Sequence, residues 1–589
     1  MIVEMKRVFL FLQKQHAQES LSNLESLGVL HIEHQNPPVS DRINVLRDKL
    51  SLVEQGILIL SSVDRKITAI SSTSKDLISV CRQIVDIEKR SQQLKEYAIT
   101  LNATIDQWSP WGDFDPQEII QLAQQGIYLK LYQIPREQLK GLSEKVVVKK
   151  IFSQGSVDNC IVSSRDNFTL SFKELELPKM SLAQMRQRWD ENGKIILNLK
   201  KQLNDYFHYQ EALFLERKIL MQQKKYFEAL EGMGQAEQLV YLKGYIPIDV
   251  EKTLVNEARK RGWGILTAIP QEDDQVPTLL RNPVWISFIK PLLKLLELIP
   301  GYRELDISPL FIIFFSLFFG MLIGDAGYGL VYGLITFWLH KKIGPRLQDQ
   351  SAFFLFYILS FCAIIWGLLT ATFFGQGWLL NLGIKPLIPA LGNTAFVQAL
   401  CFFIGAVHLS LAHGWRAVLK APALIALADL GWICIIWAVF FLAKNLILGD
   451  TFPGVGSWLI IAGLILVLFF TSPQKNILKT IGEGLGTIAL GLVNNFTDVV
   501  SYIRLFAVGL AGVAIADAFN SMAAGIIKKG DFLTIIAAAL VVVFGHALNI
   551  ILGPMSVLVH GVRLNVLEFC GHASVTWNGF AYKPFGRKD

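Results

Sequence analysis

The stretch DVVSYIRLFAVGLAGVAI, Asp498 to Ile515, is apolar enough for a membrane helix and carries one arginine, Arg504, in its middle. An arginine at membrane depth costs ~3 kcal/mol on insertion scales, so an opposite charge has to compensate it. Residues three and four positions away share its helix face. Those positions hold no acid: Val500, Ser501, Ala507 and Val508. The stretch therefore predicts a membrane-embedded arginine whose acidic partner comes from elsewhere.

Composition divides the chain into a polar half and an apolar half. Of the 589 residues, 52% are hydrophobic, too many for a soluble protein of this length. Lys, Glu, Asp and Gln are dense in residues 1–280, whereas apolar runs dominate from Pro309 onward. The N-terminal MIVEMKRVFLFLQKQ is too charged for a signal peptide. We therefore expect a cytoplasmic half, 1–290, followed by a membrane domain, 291–589.

Charge, cysteine usage and motifs exclude several function classes. A net charge of +7 fits basic cytoplasmic loops of a membrane protein better than a nucleic-acid partner. The six cysteines are scattered and form no CxxC pair, so neither a disulfide framework nor a metal site is expected. The polar half has no GxxxxGK[ST], GxGxxG or HExxH motif, so we expect no catalytic site and no cofactor.

The polar half reads as an α/β dumbbell. Strand-like runs at its two ends predict a proximal lobe from 1–40 and 235–290, and those in its middle a distal lobe, 106–181. The segments 41–105 and 182–234 read as two helical arms of an antiparallel coiled coil, spanning ~75 Å if each arm has about fifty helical residues. We interpret this coiled coil as a mechanical spacer. The outgoing stripe is Val45, Leu52, Val63, Ile67, Ile70, Leu77, Ile84 and Ile87, and the returning one is Met185, Ile195, Leu199, Leu203, Tyr206, Leu213 and Leu220.

Basic loops orient the apolar half. Lys341, Lys342 and Arg346 follow the run 309–338 and are expected on the side of the polar half. The run then crosses twice, as a hairpin bending near Gly324-Asp325-Ala326-Gly327. Later basic loops bring the total to about eight transmembrane helices, with both chain ends cytoplasmic. The Gly-rich segment 481–493 is assigned, as one option, to the membrane interface.

The last two helices are predicted to be long and tilted, because residues 494–527 and 531–570 exceed the ~20 residues needed to span a bilayer. As an antiparallel pair they would place Arg504 opposite Met555 and Ser556. A polar stripe recurs every three or four residues and should face protein or water. Its members are His546, Asn549, Gly553, Ser556, His560 and Arg563.

Several motifs resemble the a subunit of V/A-type (vacuolar/archaeal-type) rotary ATPases, called subunit I in bacteria and archaea. They are GDAGYG from Gly324, SYIRLFAVGLA from Ser501, HGVRLNVLEF from His560 and the ending YKPF from Tyr582. The segment YRELDISP, which leads into the first apolar run, departs from the family pattern at Ile307, where proline is usual.

The resemblance implies a non-catalytic stator subunit that carries ions, with the proton as the expected ion, and couples their flow to rotation and to ATP hydrolysis or synthesis. Arg504 corresponds to the essential arginine that meets the carboxylate of a rotor ring, and Arg563 to the second arginine beside it. The missing acid would then lie on another chain, a ring proteolipid. Further implied partners are peripheral-stalk subunits at the cytoplasmic lobes, the central-stalk adaptor and membrane lipid, in a bacterial inner membrane.

Two ion-access paths are predicted around the arginines. On the cytoplasmic side we expect Asn494, Asn495, Asp498, His560 and Glu568, and Ser501 is a further ion-translocation candidate without an assigned side. On the outer side we expect Asp325, Asp517, Asn520, His546 and Asn549. Two of these have open alternatives, since Asp325 would otherwise only cap the hairpin turn and Glu568 would be a solvated carboxylate. His408 and His413 are interpreted as packing or interfacial histidines. Relatives place a glutamate and a histidine where this chain has Gly553 and Gly512.

The alternative from another class is a secondary transporter that binds an anionic substrate through the buried arginine. Transporters usually show an internal repeat of their membrane halves, which this sequence lacks. A purely structural membrane anchor would leave the two arginines and the polar stripe unexplained.

Overall fold

A computed structural model describes residues 1–62, 76–141, 146–347, 349–375, 386–473, 477–527 and 531–586. The stripe positions Val63, Ile67 and Ile70 lie outside the described residues. Two compact units divide the chain, and each is described by itself. One unit contains Met1–Leu10, Gly28–Glu33 and Lys243–Phe585, and the other contains Phe11–Leu27 and His34–Leu242.

The helical arms belong to the second unit. Their helices are α1 (Ala17–Leu27), α2 (Asp41–Ser61), α3 (Leu77–Trp108), α4 (Pro116–Gln124), α5 (Leu182–Asp205) and α6 (Gln210–Glu231). The outgoing α2 and α3 pack against the returning α6 and α5. Ser40 caps α2, and Ser181 with Gln184 forms a capping box at α5, so polar side chains begin each arm.

The predicted stripe of the outgoing arm is wrong at Val45, which is 51% exposed, whereas Ile43 and Leu46 are buried. Val53 is buried in the core, and Leu52 is partly buried and packs against it. Farther along, Ile84 is buried as expected, and Leu77 and Ile87 pack against the same core. The apolar spacing of this segment permits two frames, and the packing partner selects one of them. In the returning arm Ile195 is 41% exposed, but five other predicted positions are buried as expected: Met185, Leu199, Leu203, Leu213 and Leu220.

The distal lobe is a four-stranded antiparallel sheet in the order β4-β5-β3-β6. Its strands are β3 (Tyr128–Pro135), β4 (Val147–Gln154), β5 (Val157–Ser164) and β6 (Lys173–Leu175). Alternating residues of β3 supply two small cores, one around Tyr132 and Ile134 and the other around Leu131. Trp108 and Trp111, at the end of α3, close the second core.

The proximal sheet combines strands from both ends of the polar half, in the order β2-β8-β1-β9, with β7 paired to β8. Its strands are β1 (Met5–Gln13), β2 (His31–Glu33), β7 (Gly234–Ala236), β8 (Leu239–Pro247) and β9 (Gly264–Ala268). Helix α7 (Glu251–Arg261) precedes β9 and ends at Gly262, whose φ of 67° is the left-handed conformation that glycine adopts without strain.

The rest of the first unit is helical. After the short α8 (Val284–Ser287) and α9 (Lys290–Leu295) come α10 (Ser308–Ile323), α11 (Ala326–Ile343), α12 (Ser351–Thr370), α13 (Thr394–Lys420), α14 (Ala426–Leu448), α15 (Gly454–Phe470), α16 (Ile477–Ser501), α17 (Ile503–Ile527), α18 (Phe532–Ser556) and α19 (Cys570–Ala573). Two π-helical turns, Val557–Gly561 and Leu564–Phe569, join α18 to α19.

Five helical stretches among the described residues are long and apolar enough to cross a membrane: Ser351–Thr370, Thr394–Lys420, Ala426–Leu448, Leu478–Ile527 and Phe532–Ala573. Two shorter apolar helices accompany them, Ser308–Ile323 and Gly454–Phe470. The last two long stretches have 50 and 42 residues, so the predicted length of the final helices is confirmed. The predicted total of about eight crossings stays a prediction.

The hairpin between α10 and α11 bends where predicted. Gly324 has a φ of 67°, and Asp325 caps α11 by accepting a hydrogen bond from Tyr328 N. Glycines also let neighbouring helices approach closely. A Cβ added at Gly320 would lie 2.8 Å from Cys362 O, and one at Gly367 would lie 2.0 Å from Ala326 N.

The segment 481–493 belongs to the helix α16, and its assignment to the membrane interface stays a prediction. Helix α16 packs along α14 and α15 and is separated from α17 only at Tyr502. A Cβ at Gly484 would lie 2.5 Å from Leu468 O, and one at Gly491 would lie 2.2 Å from Trp432. Gly484 and Gly491 therefore allow close packing of α16 against its neighbours.

The last described residues, 576–585, form a tail that returns to the proximal strands of the same unit. Phe585 N donates to Leu30 O over 2.7 Å, and Tyr582 Oη donates to Val29 O. Single β-bridges join Ala581 to Thr278 and Asn578 to Ile299. The YKPF ending is thus part of the proximal lobe.

Candidate ion-translocation site

Arg504 lies at the start of α17, just after the helix break at Tyr502. The break leaves the carbonyl of Ser501 available, and Arg504 Nε donates to it over 3.0 Å. Arg504 Nη2 donates to Glu568 Oε1 over 2.8 Å. The Arg504 side chain keeps 22% of its surface exposed, so the surrounding helices do not enclose it completely.

Glu568 binds both arginines. Its Oε1 also lies 3.4 Å from Arg563 Nε, while the carboxylate itself is 4% exposed. The expectation that the acidic partner of Arg504 lies only on another chain is therefore wrong. Glu568 is 64 residues from Arg504 along the chain, so it is not among the neighbouring positions on the helix of Arg504. The alternative of a solvated carboxylate is excluded by its burial.

The π-helical turns explain how Arg563 and Glu568 meet. In a π-helix each hydrogen bond joins residues five apart, so residues five apart share a face; in an α-helix they do not. Arg563 and Glu568 are five apart, at the border of the turn Leu564–Phe569. The same turns disturb the predicted polar stripe, since Asn549 is buried but Arg563 is 52% exposed. The stripe is therefore not one uniform enclosed face.

A second buried network, the histidine chain, consists of Asp498, His572, His413 and Asp429. His572 Nε2 lies 3.1 Å from Asp498 Oδ2, and His572 Nδ1 lies 2.9 Å from His413 Nε2. His413 Nδ1 lies 3.1 Å from Asp429 Oδ1. All but Asp498 are at most 8% exposed. The four side chains thus form a continuous hydrogen-bonded path.

Two cations hold the far end of the histidine chain. Lys420 Nζ lies 2.8 Å from Asp429 Oδ2, and Arg416 lies 3.3 Å from Asp429 Oδ1. The sequence reasoning missed Asp429 and His572, and it did not foresee that His413 would be hydrogen-bonded to both of them. The acid within the apolar run of α14 was the available signal. His408 is stacked between Phe314 and Phe569, and its Nδ1 lies 2.8 Å from Tyr502 Oη.

The remaining predicted cytoplasmic residues are only partly brought together. Asn495 is buried, and its Nδ2 donates to Gly491 O of its own helix over 2.6 Å. Ser501 Oγ donates to Asp498 O over 2.7 Å. His560 Nδ1 is buried and has no hydrogen-bond partner among the described residues. Asn494 is exposed and lies outside these networks in the described part of the chain.

On the predicted outer side, two of the five residues join one network. His546 Nδ1 lies 2.7 Å from Tyr328 Oη, and His546 Nε2 lies 3.1 Å from Asn520 Oδ1. Asn520 Nδ2 in turn donates to Phe374 O over 2.7 Å. Sequence reasoning missed Tyr328, although the GDAGYG motif contains it.

The other three outer residues have separate roles. Asp325 is fully buried and accepts hydrogen bonds from Tyr328 N and Gly375 N, which supports the helix-cap interpretation. Asn549 Nδ2 donates to Gly512 O over 2.8 Å. Asp517 is exposed on α17.

Tyr332 occupies the space beside Gly553. A Cβ added at Gly553 would lie 2.7 Å from Tyr332 Oη. That hydroxyl donates to Ile550 O over 2.9 Å. The phenol therefore fills the place in which the resemblance expects a glutamate side chain.

A cavity of about 240 Å³ lies beside the part of α17 that directly follows Arg504 in the sequence. Its walls include Leu505 and Gly509 of α17 together with Thr370, Thr372 and Thr394. The threonine hydroxyls make part of the lining polar, so the cavity is suited to water. Among the residues that the structure describes, no cluster of three or more His, Cys, Asp or Glu could hold a metal ion.

No protein-family model matches the chain. Individual proteins do match it over much or nearly all of its length. The V-type ATP synthase subunit I of Borreliella burgdorferi is 31% identical over 607 residues, covering 99% of both chains. The V-type ATP synthase subunit I 1 of Treponema pallidum is 29% identical over 625 residues, covering 99% of this chain and 100% of the relative. The A-type ATP synthase subunit I of Methanocaldococcus jannaschii is 26% identical over 404 residues, covering 61% of this chain and 57% of the relative.

The similarity to the Borreliella protein extends over nearly the whole of both chains, polar and apolar halves alike. The apolar helices described above fit a protein that is integral to a membrane. This chain therefore belongs to the subunit I family of V-type ATP synthases, the membrane subunits of rotary ATPases.

Proposed function

We propose that this chain is the ion-translocating stator subunit of its rotary ATPase and has no catalytic site of its own. The observation that carries the proposal is the cluster of Arg504, Arg563 and Glu568 within the apolar helices. Charged residues at membrane depth are costly and are kept where ions or protons pass. We call these three residues the arginine cluster.

The arginine cluster would act on a carboxylate of the rotor ring. That carboxylate has to be neutral while it faces lipid, because an unpaired buried charge is prohibitively costly. Opposite Arg504 it ionises and releases its proton. The exposed part of the Arg504 side chain supports such a contact. Each ion that crosses a 100 mV potential transduces ~2.3 kcal/mol.

For the cytoplasmic path we propose the histidine chain, from Asp429 to Asp498, with Asn495, Ser501, His560 and Glu568 beside it. Alternating carboxylates and imidazoles can pass a proton along hydrogen bonds, since each imidazole has two nitrogens. Lys420 and Arg416 at the far end support the assignment to the cytoplasmic side by the positive-inside rule.

For the outer path we propose the network of Tyr328, His546 and Asn520 and the neighbouring Asn549, Asp325 and Asp517. The threonine-lined cavity beside α17 supports entry of water on this side. Asp325 would contribute through its position at the hairpin, since backbone donors already occupy both carboxylate oxygens.

We further propose the partners and the location. The rotor proteolipids would face α17 and the π-helical segment, and peripheral-stalk subunits and the central-stalk adaptor would bind the cytoplasmic lobes. The membrane would be the bacterial inner membrane, with both chain ends in the cytoplasm. The names of the relatives, subunits of an ATP synthase, support an assembly of this kind. None of the relatives reported above is named as a transporter.

The test replaces Arg504 by Gln in the complete complex, reconstituted into vesicles. We expect ATP-driven ion pumping to be abolished while the complex still assembles, since glutamine keeps polarity but removes the charge. The matched control is Arg261→Gln, on the proximal helix α7. Normal pumping by Arg504→Gln would overturn the proposal. Substrate uptake by the purified chain without a rotor would favour the transporter instead.

A further inference from the structure

Glu568 is shared by two cations through a single oxygen. Oε1 lies 2.8 Å from Arg504 Nη2 and 3.4 Å from Arg563 Nε. Oε2 is buried and has no hydrogen-bond partner among the described residues. The carboxylate is therefore positioned between the arginines and is not accessible to solvent.

The arginine cluster has a net charge of +1, from two guanidinium groups and one carboxylate. The two arginines differ in exposure, 22% for Arg504 and 52% for Arg563. One incoming carboxylate would bring the net charge of the cluster to zero. Without Glu568 the same site would have a charge of +2, which in a partly desolvated place strengthens every attraction to an anion.

We propose that Glu568 is a positioning residue that sets the arginine cluster to accept one rotor carboxylate at a time. Between successive carboxylates it is the counterion of Arg504. When a carboxylate arrives, Arg504 binds it while Glu568 stays paired with Arg563. This inference rests on the proposed function and assigns to Glu568 a role other than lining an access path.

The role has two consequences for rotation. Glu568 neutralises Arg504 when no rotor carboxylate is present, because an unpaired charge at membrane depth has a high free-energy cost. Its negative charge also weakens the hold of Arg504 on the rotor carboxylate, so that the carboxylate leaves when the rotor steps. Removal of this charge is expected to slow release more than binding, because most changes in affinity at a fixed interface are changes in dissociation rate.

The experiment uses the complete complex with Glu568→Gln, which keeps the shape of the side chain. We expect about tenfold slower ATP-driven pumping, since the rotor carboxylate then meets a charge of +2. The double variant Arg563→Gln/Glu568→Gln restores the net charge of +1 and should recover most of the lost rate. Glu568→Asp keeps the charge and should pump faster than Glu568→Gln.

Each outcome decides the inference. A rescue by the second substitution supports a charge role, because a merely structural role would make the double variant worse than the single one. Normal pumping by Glu568→Gln, or a double variant no better than the single one, overturns the inference. If Glu568→Gln fails to assemble, assembly and pumping of the double variant support it, and failure of both variants overturns it. Normal pumping by Arg504→Gln would instead reject the proposed function.

Discussion

The carboxylate of Glu304 holds the tail, 576–585, in place through hydrogen bonds, and we predict that its replacement makes the tail open measurably more often. Oε2 accepts hydrogen bonds from Gly301 N over 2.7 Å and from Trp577 N over 3.3 Å. Oε1 accepts from Thr576 N over 2.8 Å and from the Thr576 hydroxyl. In Glu304→Gln one oxygen becomes an amide NH₂, so two of these four donors lose their acceptor.

Each unsatisfied donor costs ~1–3 kcal/mol, and partial exposure of Glu304 places both near the low end, ~2 kcal/mol together. The tail should then open about 30-fold more often. Chymotrypsin reports this opening by cleaving after Trp577 or Tyr582, with the released peptide measured by mass spectrometry. Glu297→Gln, at an exposed carboxylate of the same segment, is the control. Equal cleavage of the two variants would refute the reasoning.

The same site gives a pH dependence. Burial raises the pKa of Glu304, but hydrogen bonds from Thr576 and from three backbone N–H groups outweigh it, so the pKa is below its usual value. The stabilisation of the tail by ionised Glu304 is therefore fully present above the pH at which a glutamate in the unfolded chain titrates. It is lost as the pH falls through the folded-state pKa, and there the cleavage rates of the native protein and Glu304→Gln should converge.

Two further predictions concern the membrane helices. Gly509→Val puts a side chain where a Cβ would lie 2.4 Å from Met321 O, and should lower the unfolding free energy by ~1–3 kcal/mol. Gly525→Val, at an open position of the same helix, should not, and equal melting temperatures of the two variants would contradict this. His413→Phe keeps the ring but breaks the histidine chain, and should slow ATP-driven pumping at least about tenfold. His408→Phe, at a stacked position, should slow it less, and the reverse order would contradict the proposed path.

Features that depend on neighbouring residues were predictable from the sequence. The bend at Gly324 and Asp325 requires only a glycine that accepts a positive φ and an aspartate that caps the next helix. The long final helices follow from the length of their apolar runs. The frame of α2 was less certain, because Val45 and Leu46 are both apolar and only the packing partner distinguishes them.

Features that depend on distant residues were not predictable. No periodicity connects Arg504 with Glu568, and no pattern in the sequence marks the π-helical turns that orient Glu568 toward Arg563. His413 and His572 each lie in an apolar segment, so each alone resembles a packed histidine. Only the fold brings the two imidazoles to 2.9 Å from one another.

The tail has a consequence for biosynthesis. The first proximal strands leave the ribosome before the membrane helices, whereas Tyr582 and Phe585, which contact Val29 and Leu30, leave it after them. This lobe therefore waits, incomplete, until every membrane helix has been synthesised. A chain that stops before the tail leaves the carbonyls of Val29 and Leu30 without these donors, and the incomplete lobe favours aggregation and gives quality-control proteases a means of telling truncated subunits from complete ones.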